Sequence, residues 1–381
     1  MTVQSRLHPE LAAPGMRFHA LQIFPTLDVS SGYDRNVLGN AGGGARRGSW
    51  VVTTTPGVTA TTDWSRDQLG ASISLQSAQY LSMPNQNQVN GTVAAGGRLD
   101  VGRDQLTVAA AHSAQHEILG GINTIASTSP IAFQIDDIRA AYTLVNGRWN
   151  LTPALGASSW TYGDATINGV TSAQSYRDRL VTQGSMTLRY EWAPLRNILF
   201  VMRALGQDYT HIPFGQPTTN SQSFQALAGV DYDDNALWRL RLLLGGESRH
   251  YAASVYHPQN TFIIEAEATW FPTQLTTLRA TLTRDTEDAA QEGISGLVYA
   301  AARIAIDHEL RRDLLLRAYG ELQQASYFGD GRQTGFVAGF GVTWSLNRYA
   351  RLSLTYDQSD LSGGRSGSQN LSTGYKNLYA K

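Results

Sequence analysis

The sequence contains no cysteine. Disulfide scaffolds, zinc–thiolate centres and iron–sulfur clusters are therefore excluded. It contains no run of 18 apolar residues, so no segment qualifies as a membrane-spanning helix. That absence leaves a membrane barrel open, because a barrel strand shows lipid only at every second residue. Charged residues make up 16% of the chain, below the roughly 25% of soluble domains. The formal net charge is −1, which removes the electrostatic case for a nucleic-acid partner. Met1-Thr2-Val3-Gln4-Ser5 carries no apolar signal core, so the expectation is a protein that is not exported, or a mature form with a start codon added. No HExxH or GxSxG motif occurs. His112, Ser113 and His116 are the nearest approach to a hydrolase site, and so loose a group arises by chance. No enzyme activity, cofactor or metal is expected. Asp233-Asp234 and the group Asp285, Glu287, Asp288 could bind calcium at a rim, but the reading adopted is a solvated loop.

What is present is a period of two. Leu314, Leu316, Ala318, Gly320 and Leu322 fall on one side of a strand, and Leu315, Arg317, Tyr319, Glu321 and Gln323 on the other. The stretch before it repeats the pattern, with Ala302, Ile304 and Ile306 against Arg303, Ala305 and Asp307. Leu310-Arg311-Arg312-Asp313 joins the two as a tight charged turn, which makes a hairpin.

The rest of the chain repeats this unit. After a polar, proline-containing leader over residues 1–15, eight short turn signals recur. They centre on residues 63–67, 100–104, 145–148, 193–197, 233–236, 272–274, 311–312 and 346–348. Nine longer stretches rich in Gly, Asn, Ser and Gln alternate with them: 39–48, 84–88, 120–130, 164–174, 213–221, 252–260, 286–296, 329–333 and 362–367. Eight turns and nine loops join 18 strands and put both termini on the short-turn side. The expected fold is all-β, a transmembrane antiparallel up-and-down β-barrel of 18 strands over residues 16–381, with short periplasmic turns and longer extracellular loops. A β-propeller has a similar repeat length, but its blade needs four short strands where each repeat here holds two long ones.

Aromatics cluster beside the turns (Trp64, Trp149, Tyr190, Trp192, Tyr232, Trp238, Trp270, Phe271, Trp344, Tyr349) and toward the loops (Tyr33, Tyr80, Trp160, Tyr162, Tyr209, Tyr251). Two such belts fit the two membrane interfaces.

A charge on the lipid face of a barrel costs about 2–4 kcal/mol at the midplane, so alternation assigns the charged positions inward. The candidate pore-lining residues are Arg139, Arg189, Arg203, Arg239, Arg241, Arg279, Arg303, Arg317 and Arg351, with Glu247, Glu265, Glu267, Glu321 and Asp307. Strands about 4.8 Å apart let opposite charges ladder around the wall. Such a lining is a structural salt-bridge network, an aqueous path for a neutral or acidic polar solute, or both.

Several segments resemble the bacterial β-barrel porin family 2. They are Gly15-Met16-Arg17 with Ile23-Phe24-Pro25-Thr26-Leu27-Asp28-Val29, Gly32-Tyr33-Asp34-Arg35-Asn36-Val37, and Thr55-Pro56-Gly57-Val58 with Asp63-Trp64-Ser65-Arg66. The late hairpins running from Leu275 to Glu287 and from Asp307 to Leu316 are similar too. The resemblance implies the outer membrane of a Gram-negative bacterium and a link to export of exopolysaccharide or capsule. It implies as partners the outer-membrane lipid, a polysaccharide in the lumen, and periplasmic or inner-membrane secretion or synthase components. The expected function is a porin-like channel for a polar solute. The alternative is a non-conducting barrel that anchors or organises a polysaccharide synthase or secretion complex. One departure concerns closure: the chain ends Leu378-Tyr379-Ala380-Lys381, without the C-terminal Phe usual in such strands. A bare edge in lipid is untenable, so residues 369–379 are expected to pair with the first strand or to be covered.

Overall fold

A computed structural model of the chain describes residues 2–3, 10–39, 47–167, 169–234, 237–329, 331–364 and 373–380. Among these, eighteen long strands follow one another in the order of the chain, besides three strands of three residues each, Met16–Phe18, Ala165–Ile167 and Val170–Ser172. The first six are β1 (Leu21–Asp34), β2 (Ser49–Thr62), β3 (Gln68–Tyr80), β4 (Gln88–Val101), β5 (Asp104–His116) and β6 (Ala132–Asn146). Then come β7 (Trp149–Tyr162), β8 (Arg179–Ala193), β9 (Arg196–Tyr209), β10 (Ser221–Asp233), β11 (Trp238–Tyr251) and β12 (Gln259–Thr273). The last six are β13 (Thr276–Glu287), β14 (Leu297–Arg311), β15 (Leu314–Tyr327), β16 (Arg332–Ser345), β17 (Arg351–Gly364) and β18 (Thr373–Ala380). Every neighbouring pair is antiparallel. Among the described residues the short turns and longer connections fall where the turn chemistry puts them; residues 40–46, 168, 235–236, 330 and 365–367 of the expected turns and loops lie outside the described residues. In two of the tightest turns the reversal needs positive φ, supplied by Gly102 (+67°) and Gly147 (+58°).

Strand β18 pairs with β17 from Leu361↔Thr373 to Leu354↔Ala380, and with β1 from Ser31↔Ala380 to Asp34↔Asn377. The last strand thus meets the first, as the closure argument required. At the other end of β1, the short strand Met16–Phe18 pairs with Leu21–Ile23. Between these two contacts residues 24–30 have no strand neighbour on that side among the described residues.

The register separates two faces. On β11, Leu240 and Leu244 are exposed while Leu243 between them is fully buried. Phe200, Met202, Phe224, Phe262, Ile304, Leu322, Phe336 and Phe340 are likewise exposed and form the outer, apolar face. A strand of 14 residues extends about 46 Å and, tilted by about 40°, outspans an apolar band of about 25 Å. Polar outward residues near the extracellular strand ends therefore need not sit in hydrocarbon. His112 is one of them; its Nδ1 lies 2.7 Å from Asp136 Oδ1. Ser113 instead bonds Thr92, and His116 bonds Asn90, so this trio makes no nucleophile–base pair.

Candidate functional site

The inner wall is laced with ion pairs along the ladder. Seven of the nine predicted arginines have an acidic partner. Arg139 meets Asp137 at 2.7 Å, Arg189 meets Asp231 at 3.4 Å, and Arg239 meets Asp233 at 2.9 Å. Arg279 lies 3.8 Å from Glu267, Arg303 is 2.8 Å from Glu321, and Arg317 is 3.4 Å from the buried Asp307. Arg203 reaches across two strands to Glu265 in a forked contact of 2.5 and 3.1 Å. Arg241 and Arg351 are exposed and have no ion pair among the described residues. In register, Arg241 lies between Asp231 and Glu267.

One region of the wall is strongly acidic. Gln225 donates to both Glu247 (3.0 Å) and Asp285 (3.2 Å), and its own oxygen accepts from Arg203. Among the described residues Arg203 is the arginine that reaches this group, directly at Glu265 and through Gln225 at Glu247 and Asp285. Beside them the inner face holds an apolar cluster of Leu199, Val201, Leu227, Leu243 and Ile263. Periodicity hid this cluster, because the run Leu242-Leu243-Leu244 reads as apolar on both faces. Gly229 and Gly245 let the strands approach here, since a Cβ on either would meet a facing carbonyl oxygen at 1.7 or 1.9 Å.

Sequence reasoning missed a group that ties several loops together at the long-loop end of the barrel. Asp288, read above as part of a solvated loop, is instead buried between two strands. Its Oδ1 accepts from Arg249 Nη2 at 2.5 Å. Arg179 Nε lies 3.0 Å from Oδ2 but off the N–H direction, so this second contact is an ion pair and not a hydrogen bond. Asp288 begins the connection 288–296, which crosses the mouth. Asn123 holds that connection from the loop after β5: its Nδ2 donates to Asp288 O (2.9 Å) and its Oδ1 accepts from Ala290 N (2.9 Å). Asn123 N donates to Gln333 Oε1 on β16 (3.0 Å). From the loop after β7, Tyr176 donates to Ala290 O at 2.8 Å. Burial pushes the Tyr176 hydroxyl up to about 12, so it remains a donor at neutral pH. Arg177 pairs with Glu117 at 2.5 Å. These partners are scattered over loops with no period, and long-range pairing alone brings them together.

The second aromatic belt also needs correction. Trp64 is exposed within its turn, and Trp149, Trp192, Trp238, Trp270 and Trp344 are exposed on the outer face beside the turns. On the loop side, however, Trp160, Tyr162, Tyr209 and Tyr251 face inward, where they cover arginines. Arg179 lies over Trp160 and Tyr209, Arg177 over Tyr162, and Arg249 over Tyr251, at 4.0–5.9 Å from the ring centres. Rings there offer cation–π partners to guanidiniums that the loops bury.

The leader also reaches the barrel. Val3 is buried, and its N–H donates to Thr277 Oγ1 at 2.9 Å. Thr277 is on the inner face near the short-turn end of β13. Residues 4–9 lie outside the described residues.

The family described as "Putative beta-barrel porin 2" matches residues 8–373. No curated protein matches. Among solved structures, OccAB3 of Acinetobacter baumannii is similar at 9% identity and a TM-score of 0.50, over 95% of this chain and 98% of that one. OpdK of Pseudomonas aeruginosa is similar at 10% identity and 0.50, over 94% and 98%. A BenF-like porin from Pseudomonas fluorescens is similar at 12% identity and 0.50, over 95% and 98%. At these identities the likeness shows a shared barrel architecture.

Proposed function

The chain belongs to the Putative beta-barrel porin 2 family, and from that premise we propose that it forms an outer-membrane channel for a polar solute. The observation that carries this is the inner wall. Its ion pairs, amides and hydroxyls are a lining that water can enter, and eighteen strands enclose enough width for an aqueous path. In this reading Arg139, Arg189, Arg203, Arg239, Arg241, Arg279, Arg303, Arg317 and Arg351, with Glu247, Glu265, Glu267, Glu321 and Asp307, line the path. A polysaccharide on its way out of a Gram-negative cell is the solute we favour, because a wall rich in amides, hydroxyls and mostly paired charges offers many hydrogen bonds to a polar chain.

A second reading has its own observation. The loop latched by Asp288 and the buried Val3 both occupy the lumen, and a barrel so filled would anchor a secretion or synthase complex without conducting. Single-channel recording in a planar bilayer, with and without soluble polysaccharide, separates the two. Steady steps blocked by the polymer are expected for the channel. A silent bilayer, with periplasmic proteins co-purifying, would favour the anchor.

A further inference from the structure

The two sides of the lumen differ in how much space their inward side chains leave. From β9 to β15 those side chains are long and pair across strands. Gln225, Glu247, Arg249, Thr277 and Asp307 are buried there. Segments that enter the lumen lie on this side too, Val3 against Thr277 and Asp288 against Arg249. From β2 to β7 the wall is different. Register aligns Thr59, Ser72, Ala94, Ala111, Asp137 and Ser158 in one inward row across six strands. The adjacent inward row is Gly70, Gly96, Ala109, Arg139 and Gly156. Apart from Asp137 and Arg139, every one is Gly, Ala, Ser or Thr, and none is buried.

Two recesses result. One of about 390 Å³ lies over β2 to β6, and one of about 210 Å³ lies over β6 to β8. Each is many times the space of a single water. Asp137 and Arg139 line both recesses and are the charged side chains that line either. Arg139 folds back along its own strand, with Nε and Nη2 each 2.7 Å from Asp137 Oδ1. The pair therefore stays on the wall and does not reach across the space. Even so the Arg139 side chain is 69% exposed, whereas the six other paired arginines of the predicted lining are 21–44% exposed. A guanidinium so placed is hydrated and within reach of whatever enters either recess.

We propose that solute crosses the middle of the lumen along the β2–β8 side, and that the Asp137–Arg139 pair sets its charge preference. The exposed guanidinium favours an acidic or neutral polar solute over a cationic one. Asp137 beside it keeps that attraction shallow, as passage requires binding weak enough for release. The proposal rests on the channel reading and adds to it a route and a specificity-determining residue.

The chain has no cysteine, so single cysteines report without background. Ala94→Cys and Ala111→Cys lie on the route, and Ala305→Cys is buried on the opposite, ion-paired side. Each purified full-length variant is recorded in a planar bilayer before and after a charged methanethiosulfonate; the current before the reagent shows that the variant is folded. Loss of most of the conductance at Ala94→Cys and Ala111→Cys, with none lost at Ala305→Cys, is expected. Arg139→Gln leaves Asp137 unpaired, so the reversal potential under a salt gradient should shift toward cations by more than Arg203→Gln shifts it. Conductance unchanged at both route positions, conductance lost as fully at Ala305→Cys, or a larger shift from Arg203→Gln would each overturn the route while leaving the channel standing. A silent unmodified protein would overturn the channel and the route with it.

Discussion

Replacing Asp288 by Ala should loosen the loop over the mouth while leaving the barrel folded. Asp288 is 9% exposed as a side chain, and its partners Arg249 and Arg179 are 3% and 13% exposed. Removing the anion strands two guanidiniums in a site with little water. Breaking a buried pair in this way costs about 3–5 kcal/mol. The bonds that still hold the loop are neutral: Ala290 N to Asn123 Oδ1, Asn123 Nδ2 to the backbone oxygen of residue 288, Tyr176 Oη to Ala290 O, Tyr251 Oη to Ser295 O, Gln291 Nε2 to Thr124 O and Phe328 N to Gly296 O, with Ile294 packed in an apolar cluster. At about 0.5–1.5 kcal/mol each they are comparable to the loss, so the loop stays docked but opens far more readily. The deficit therefore falls on the loop, since each wall strand is held by two full ladders. Amide hydrogen exchange over residues 289–296 should accelerate by between about a hundred- and a few-thousand-fold, with strands β8 and β11 nearly unchanged. Adding Arg179→Leu and Arg249→Met, which remove the stranded charges, should recover much of the protection. Unchanged exchange in the loop would refute the latch. Equal acceleration in the wall strands would show that Asp288 supports the barrel and not the loop.

Three further outcomes test other parts of the structure. Ile304→Arg on the outer face of β14 should destabilise the barrel in lipid vesicles by about 2–4 kcal/mol in urea unfolding, whereas Ala301→Arg on the inner face should cost much less. Arg203→Gln leaves Glu247, Glu265 and Asp285 without their shared cation, so the reversal potential under a salt gradient should shift toward cation selectivity; a shift toward anions would contradict the cluster. The chain has no native cysteine, so Val3→Cys with Thr277→Cys should cross-link through a short bifunctional maleimide. Failure of that link in folded protein would remove Val3 from the lumen.

Much of this protein could be read without coordinates, because a strand in a membrane barrel obeys two local rules. Side chains alternate with period two, and turns need particular residues. Leu316 to Gln323 alternates, and Asp100-Val101-Gly102-Arg103-Asp104 contains the glycine that its reversal requires, so strands, turns and the two faces follow. The inward assignment of Arg303, Asp307 and Glu321 follows as well, since lipid excludes the other choice. Tertiary structure alone decided how the lumen is filled. Arg179 and Arg249 meet Asp288 over sequence separations of 109 and 39 residues. Gly39 meets Gly120, and Val3 meets Thr277, with nothing local to announce them. Loop residues have no period, so their partners depend on which strand ends the closed sheet brings to the same rim. The inward turn of Trp160, Tyr209 and Tyr251 has the same cause: an aromatic near a strand end suits a membrane interface or a buried arginine equally well, and only the register says which side of the wall it takes.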